Sequence, residues 1–197
     1  MEPIREFFKK AGLVYLERCR FADPRVTSFQ WGQGRYYRDN RQEFESLTER
    51  YGAALRAAWH PPLEIRFAGD QVGWGLFTGS DLKIDDLVGE YTGVVQTAQD
   101  APPDEKIDGH FLSDYAWNYP DELPDGSEFE INALKEGNEL RYVNHSAQPN
   151  LAVDHTLVDG LFVTFFRVIE PVRQGEQLTV SYGEEYWEGG FRDRRDL

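Results

Sequence analysis

Apolar side chains recur at helical spacing through the first third of the chain and at strand spacing beyond it. Between Arg41 and Trp59, the positions Phe44, Leu47, Tyr51, Leu55, Ala58 and Trp59 follow a helical period, which predicts a helix. Asn40 with Glu43 reads as a capping box at its start, and His60-Pro61-Pro62 as a stop. A second helix is expected over Ile4–Leu16, with Gly32-Gln33-Gly34 as loop between the two. After Pro62 the texture changes. Leu63-Glu64-Ile65-Arg66-Phe67 alternates as a half-buried strand, and short apolar runs follow at Leu87–Val95, Leu161–Ile169 and Gln177–Tyr182, each bounded by Gly, Pro or Asp. The pattern predicts a mainly β fold of small sheets with flanking helices, preceded by a helical segment over residues 1–62.

The chain has 197 residues, enough for one domain with a buried core and a small accessory segment. No apolar run approaches the roughly 20 residues of a membrane-spanning helix, and the first residues lack a basic stretch followed by an apolar one. An intracellular location, cytoplasmic or nuclear, is therefore expected. Cys19 is the sole cysteine, which excludes a disulfide within the chain and any zinc site built from a cysteine cluster.

Charge changes the picture more than composition does. The formal net charge of −14 is unevenly spread: residues 1–60 carry 11 Lys/Arg and 8 Asp/Glu, whereas residues 61–197 carry 10 and 27. Ten of those acids lie between residues 100 and 130, a stretch with a single lysine. Such a field favours encounter with basic partners and disfavours nucleic acid.

Four segments stand out as candidate chemistry. Gly73-Trp74-Gly75-Leu76-Phe77-Thr78-Gly79 allows close backbone approach to a ligand, but the segment after it is too short and polar for the long helix of a dinucleotide-binding turn. Gly89-Glu90-Tyr91-Thr92-Gly93 places a tyrosine at a strand end. Arg141-Tyr142-Val143-Asn144-His145-Ser146-Ala147-Gln148-Pro149-Asn150 is a run of hydrogen-bonding side chains beside a proline that fixes the backbone. Gly175-Glu176-Gln177-Leu178-Thr179-Val180-Ser181-Tyr182-Gly183 is a strand ending in Tyr-Gly, with Tyr186-Trp187 close behind.

Taken in this order, the four segments resemble the signature motifs of SET-domain protein lysine methyltransferases. The stretch Phe129–Ala133 followed by Gly137-Asn138 resembles the segment that precedes the Asn-His motif in that family. The resemblance covers about residues 63–184, leaving 1–62 as a helical N-terminal segment and 185–197 as a tail that would close the substrate channel. It implies several small β-sheets around a knot-like crossing of the Asn-His and Tyr-Gly segments. It also implies S-adenosylmethionine as methyl donor, S-adenosylhomocysteine as product and no metal. By similarity, Gly73, Trp74, Gly75, Phe111, Asn144, His145 and Tyr182 would contact the cofactor, and Tyr182 and Tyr91 would carry the catalytic role. Tyr91, Val180 and Trp187 would line the substrate side.

Several positions depart from the family pattern. Ala147 stands where many members have cysteine, and no Cys-rich segment follows Tyr182, so a zinc-bound lid is not expected. Phe111 replaces a frequent tyrosine, Ser181 a frequent aspartate, and Val180 stands where a larger aromatic often limits the number of methyls added.

The expected substrate is a basic protein segment, histone or histone-like, with no direct contact to nucleic acid. The alternative is a SET-fold module that binds basic tails without turnover. A hydrolase built on His145 or His155 is disfavoured because no Gly-x-Ser-x-Gly elbow accompanies them.

Overall fold

The computed structural model describes residues 2–70, 72–98, 106–107, 110–111 and 114–187. Before the proline stop lie α1 (Glu2–Lys10), β1 (Val14–Tyr15), β2 (Arg20–Phe21), α2 (Pro24–Ser28), α3 (Arg35–Asp39) and α4 (Arg41–Arg56). Beyond it come β3 (Leu63–Gly69), β4 (Gly73–Thr78), β5 (Leu87–Glu90), β6 (Val94–Thr97), β7 (Lys106–Ile107), β8 (His110–Phe111), β9 (Ala116–Asn118) and β10 (Phe129–Asn132). The series ends with β11 (Glu136–Gly137), β12 (Asn144–His145), β13 (Leu151–Val158), β14 (Leu161–Val168) and β15 (Thr179–Val180). No helix among these residues is long and apolar enough to cross a membrane.

The expected helix over Ile4–Leu16 stops at Lys10, because Gly12 adopts φ +70 and the chain then extends as β1. Gly32-Gln33 lies within a 3-10 turn, Trp31–Gln33, rather than an open loop; Trp31 is fully buried and donates its indole N–H to the Val26 carbonyl at 2.8 Å. The capping box does not form. Asn40 has φ −113 and ψ 18 and makes no cap bond to α4; its amide donates instead to the Tyr36 carbonyl at 2.9 Å, closing α3. The two helices follow so closely that Asn40 serves the end of the first.

Among the described residues, six small sheets make up the β portion. β13 and β14 form an eight-residue antiparallel ladder joined at Asp159-Gly160, both with positive φ, and β5 adds to the β14 edge. The order β2-β6-β10-β9 forms a second sheet, β3 pairs with β4, β7 with β8, and β1 with β11. β12 and β15 run parallel, with Asn144 opposite Thr179 and His145 opposite Val180. Two strands from before residue 62 thus pair in parallel with strands after it, β1 with β11 and β2 with β6.

α4 buries Phe44, Tyr51 and Leu55 against the long ladder, and Thr48 donates to the Leu157 carbonyl at 3.0 Å. Tyr51, Leu55, Leu87, Val158 and Phe165 form a cluster beneath it. The larger core holds Phe8, Trp31, Leu76, Phe129, Phe166 and Leu178, and so joins the N-terminal helices to the sheets. Chain segments meet tightly at Gly93, where an added Cβ would lie 2.6 Å from the Asn132 carbonyl oxygen.

Candidate active site

The Asn-His and Tyr-Gly segments meet because β12 and β15 pair, and Asn150 stitches them further. Its side chain donates to the Gln177 carbonyl at 2.8 Å and accepts from the Thr179 amide at 2.9 Å. One turn beyond β15, the Tyr182 amide donates to His145 Nδ1 at 3.2 Å, and the Tyr182 hydroxyl donates to the Val143 carbonyl at 2.8 Å. This leaves the Tyr182 oxygen lone pairs to accept from another group. Asn144 reaches the other way, donating to the Trp74 carbonyl at 3.1 Å. Gly73, Trp74 and Gly75 open β4, so one asparagine ties the glycine-rich strand to the Asn-His segment.

Gly75 has a specific reason to be glycine. A Cβ there would lie 2.6 Å from the Gln177 amide nitrogen and 3.1 Å from that of Asn144. The Gln177 side-chain amide nitrogen is buried and has no hydrogen-bond partner among the described residues. A side-chain-free strand beside a buried donor without an acceptor is a surface suited to a ligand with polar edges.

An aromatic wall stands on the other side of Tyr182. Tyr91 is buried, packs 5.7 Å from Phe166 and 6.2 Å from Trp117, and donates its hydroxyl to the Tyr115 carbonyl at 2.6 Å. Trp117 lies 6.4 Å from Tyr182, which Tyr186 meets edge-on at 4.8 Å. Trp187 lies parallel to Tyr182 at 6.3 Å and 5.0 Å from the His145 ring. Burial pushes the Tyr91 and Tyr182 phenols well above their ordinary value, so both remain protonated hydroxyls at neutral pH.

Of the residues singled out in the sequence, Trp74, Gly75, Asn144, His145, Val180, Tyr182 and Trp187 form one connected set with Tyr91 across the wall. Val180 is buried opposite His145. Phe111 joins it indirectly: Asp114 accepts from the Phe111 amide at 3.0 Å and from the Tyr186 hydroxyl at 3.1 Å. Gly73 lies at the strand start with φ +74. Residues 188–197 of the tail, and residues 99–105 of the acidic stretch, lie outside the described residues.

Sequence reasoning did not single out Tyr115, Trp117 or the role of Arg141. Arg141 is buried and donates to the Ala133 carbonyl at 2.9 Å, the Leu134 carbonyl at 3.1 Å and the Tyr142 hydroxyl at 2.8 Å. Its guanidinium lies 4.1 Å from the Tyr115 ring centre, and Tyr115 has the rare φ of +63. The only sequence signal was the aromatic content of an otherwise acidic stretch.

Comparison with known proteins gives a consistent result. The SET domain family model matches residues 73–183. Histone-lysine N-methyltransferase MEDEA of Arabidopsis thaliana is 33% identical over 130 residues, 64% of this chain and 18% of that protein. Histone-lysine N-methyltransferase SUV39H2 of Gallus gallus is 33% identical over 115 residues, 56% of this chain and 27% of that protein. The chain therefore spans about a fifth to a quarter of the length of these relatives. A crystal structure of ATXR5 in complex with a mono-methylated histone H3.1 shares the fold, with a TM-score of 0.66 and 17% identity over 93% of this chain and 87% of that one.

Proposed function

This chain belongs to the SET-domain family, and on that premise we propose that it transfers methyl groups from S-adenosylmethionine to lysine side chains in basic, histone-like protein segments. The observation that carries the reading is the meeting of three motifs at Tyr182, whose hydroxyl rests on Val143, whose amide rests on His145, and whose neighbour Asn144 holds Trp74. Main chain at Gly73, Trp74 and Gly75, with Asn144 and His145, would hold the cofactor. When bound, that cofactor supplies an electrophilic methyl group on a sulfonium.

The chain's own residues supply the rest. Free lysine carries a proton up to a pKa near 10.4, yet only the neutral amine is nucleophilic. An aromatic wall of Tyr91, Trp117, Phe166 and Tyr182 would strip water from the amine, and that desolvation disfavours the ammonium form. The Tyr182 oxygen, its proton committed to Val143, can accept weak C–H···O contacts and fix the line of attack. Holding donor and acceptor in line supplies rate through proximity. Trp187, stacked on Tyr182, would cover the substrate side, and Val180 would line it. The reading implies action inside the cell, in cytoplasm or nucleus.

Gly75→Ala is expected to weaken S-adenosylhomocysteine binding about tenfold or more, or 1.4 kcal/mol, because the new methyl displaces the Gln177 or Asn144 amide. Calorimetric titration checks this, with thermal melting to show that the fold survives. The acidic domain predicts that KM for a basic peptide rises about tenfold as salt is raised from roughly 0.05 to 0.5 M while kcat holds; a flat KM would remove electrostatic recruitment from the account. The direct test of function is labelled methyl incorporation into histones. Incorporation that needs intact Tyr182 and Asn144 supports the reading. Tight binding of basic tails without incorporation would make the protein a binding module instead.

A further inference from the structure

A cavity of about 110 Å³ lies beside β5, between the end of α4 and the turn at Asn138–Leu140. Its walls include Tyr15, Trp59, His60, Glu90 and Glu139, and none of Asn144, His145 or Tyr182. Glu139 is 1% exposed, and its Oε2 has no hydrogen-bond partner among the described residues. His60 Nδ1 stands 3.9 Å from Oε1 but lies 2.8 Å from the Pro61 carbonyl oxygen. Glu90, by contrast, is paired with Arg18 at 2.8 Å. The wall therefore holds one carboxylate paired with an arginine and one whose Oε2 is left unserved.

A buried carboxylate oxygen left without a donor is costly, so a complementary donor to Oε2 is the natural occupant of this space. Size narrows its identity. Small-molecule sites run to roughly 300–1,000 Å³, whereas one water needs about 10–15 Å³. The cavity suits the tip of a side chain rather than a metabolite. Among the described residues no group of three or more His, Cys, Asp and Glu is placed to hold a metal ion. Trp59, 49% exposed, and Tyr15 add aromatic faces of the kind that attract organic cations. The Tyr15 hydroxyl is hydrogen-bonded to the Glu139 side chain, and burial together with that carboxylate raises the Tyr15 phenol.

We propose that this cavity binds the cationic tip of an arginine or lysine side chain from a basic polypeptide, with Glu139 as its counter-ion and Trp59 and Tyr15 beside it. The site is separate from the methyl-transfer cluster, though Asn138 connects them: its amide donates to the Glu90 carbonyl at 2.7 Å, one residue before Tyr91.

The test needs neither methyl donor nor turnover, so it stands or falls apart from the proposed activity. Nα-acetyl-arginine amide and Nα-acetyl-lysine amide are titrated into ¹⁵N-labelled protein, with Nα-acetyl-norleucine amide as the neutral control. The expected result is saturable movement of the Trp59 indole and of the Glu139 and Leu140 amides with at least one cation, and none with norleucine. Glu139→Gln keeps the shape and removes the charge, and should weaken binding at least tenfold; Trp59→Ala, at an exposed position, should weaken it several-fold and carries the test if Glu139→Gln disturbs folding. No saturable shift with either cation would leave the cavity to water and overturn the proposal. So would binding of equal strength in both variants, or an equal response to norleucine. The tighter of the two cations identifies the preferred side chain.

Discussion

Replacing Tyr182 by phenylalanine is expected to lower methyl transfer by about two to three orders of magnitude, the range seen when one preorganised polar group is removed from a reacting centre. The substitution deletes one oxygen. Phenylalanine keeps the ring that meets Tyr186 at 4.8 Å, Trp187 at 6.3 Å and His145 at 5.4 Å, and the backbone amide keeps its bond to His145. What is lost is the hydroxyl that donates to Val143 and, on this account, positions the reacting methyl. The freed Val143 carbonyl costs about 1–3 kcal/mol of stability, a fraction of the 5–15 kcal/mol typical of a domain. Steady-state kinetics alongside a thermal melt separates the two effects: kcat should collapse while the protein remains folded.

Arg141→Ala is expected to be the most destabilising single change near the site, by about 3–5 kcal/mol. The guanidinium is buried, and its removal orphans the Ala133 and Leu134 carbonyls and the Tyr142 hydroxyl together. It also withdraws the cation lying against Tyr115. Tyr115 holds a left-handed backbone conformation, which is unfavourable for a bulky residue and persists only where its surroundings enforce it. Its carbonyl receives the Tyr91 hydroxyl, so loosening it also loosens the aromatic wall. Urea unfolding should show a lower midpoint with unchanged slope, and Arg141→Lys should recover part of the loss because an ammonium can still serve some of the same acceptors.

These two residues mark the boundary of what the sequence discloses. Tyr182 belongs to a contiguous motif that runs on from β15, and contiguity is what a linear reading detects. The contacts of Arg141 run to Ala133, Leu134 and Tyr115, which lie in other segments, and nothing in the spacing announces that they converge. The long elements were legible for the same reason. The strands Leu63–Gly69 and Leu161–Val168 carry enough alternation or apolar density to declare themselves, as does the helical face of Phe44, Tyr51 and Leu55. The two-residue strands Val14–Tyr15 and Arg20–Phe21 carry no period at all and exist because a partner backbone lies beside them. Asn40 closes α3 instead of capping α4 because its chemistry suits the end of one helix as well as the start of the next, and only the backbone angles choose. Glu139 lies just before the Arg141–Asn150 segment, but its burial is a property of the folded chain alone.

The central claim, methyl transfer to lysine at the Tyr182 cluster, is tested most directly by mass spectrometry. A lysine-containing basic peptide is incubated with S-adenosylmethionine and the protein, beside a copy with every lysine replaced by arginine. The account predicts mass gains in methyl steps on lysine, absent from the arginine peptide and nearly abolished by Tyr182→Phe. Methylation of the arginine peptide, or undiminished lysine methylation by the Tyr182→Phe protein, would contradict it.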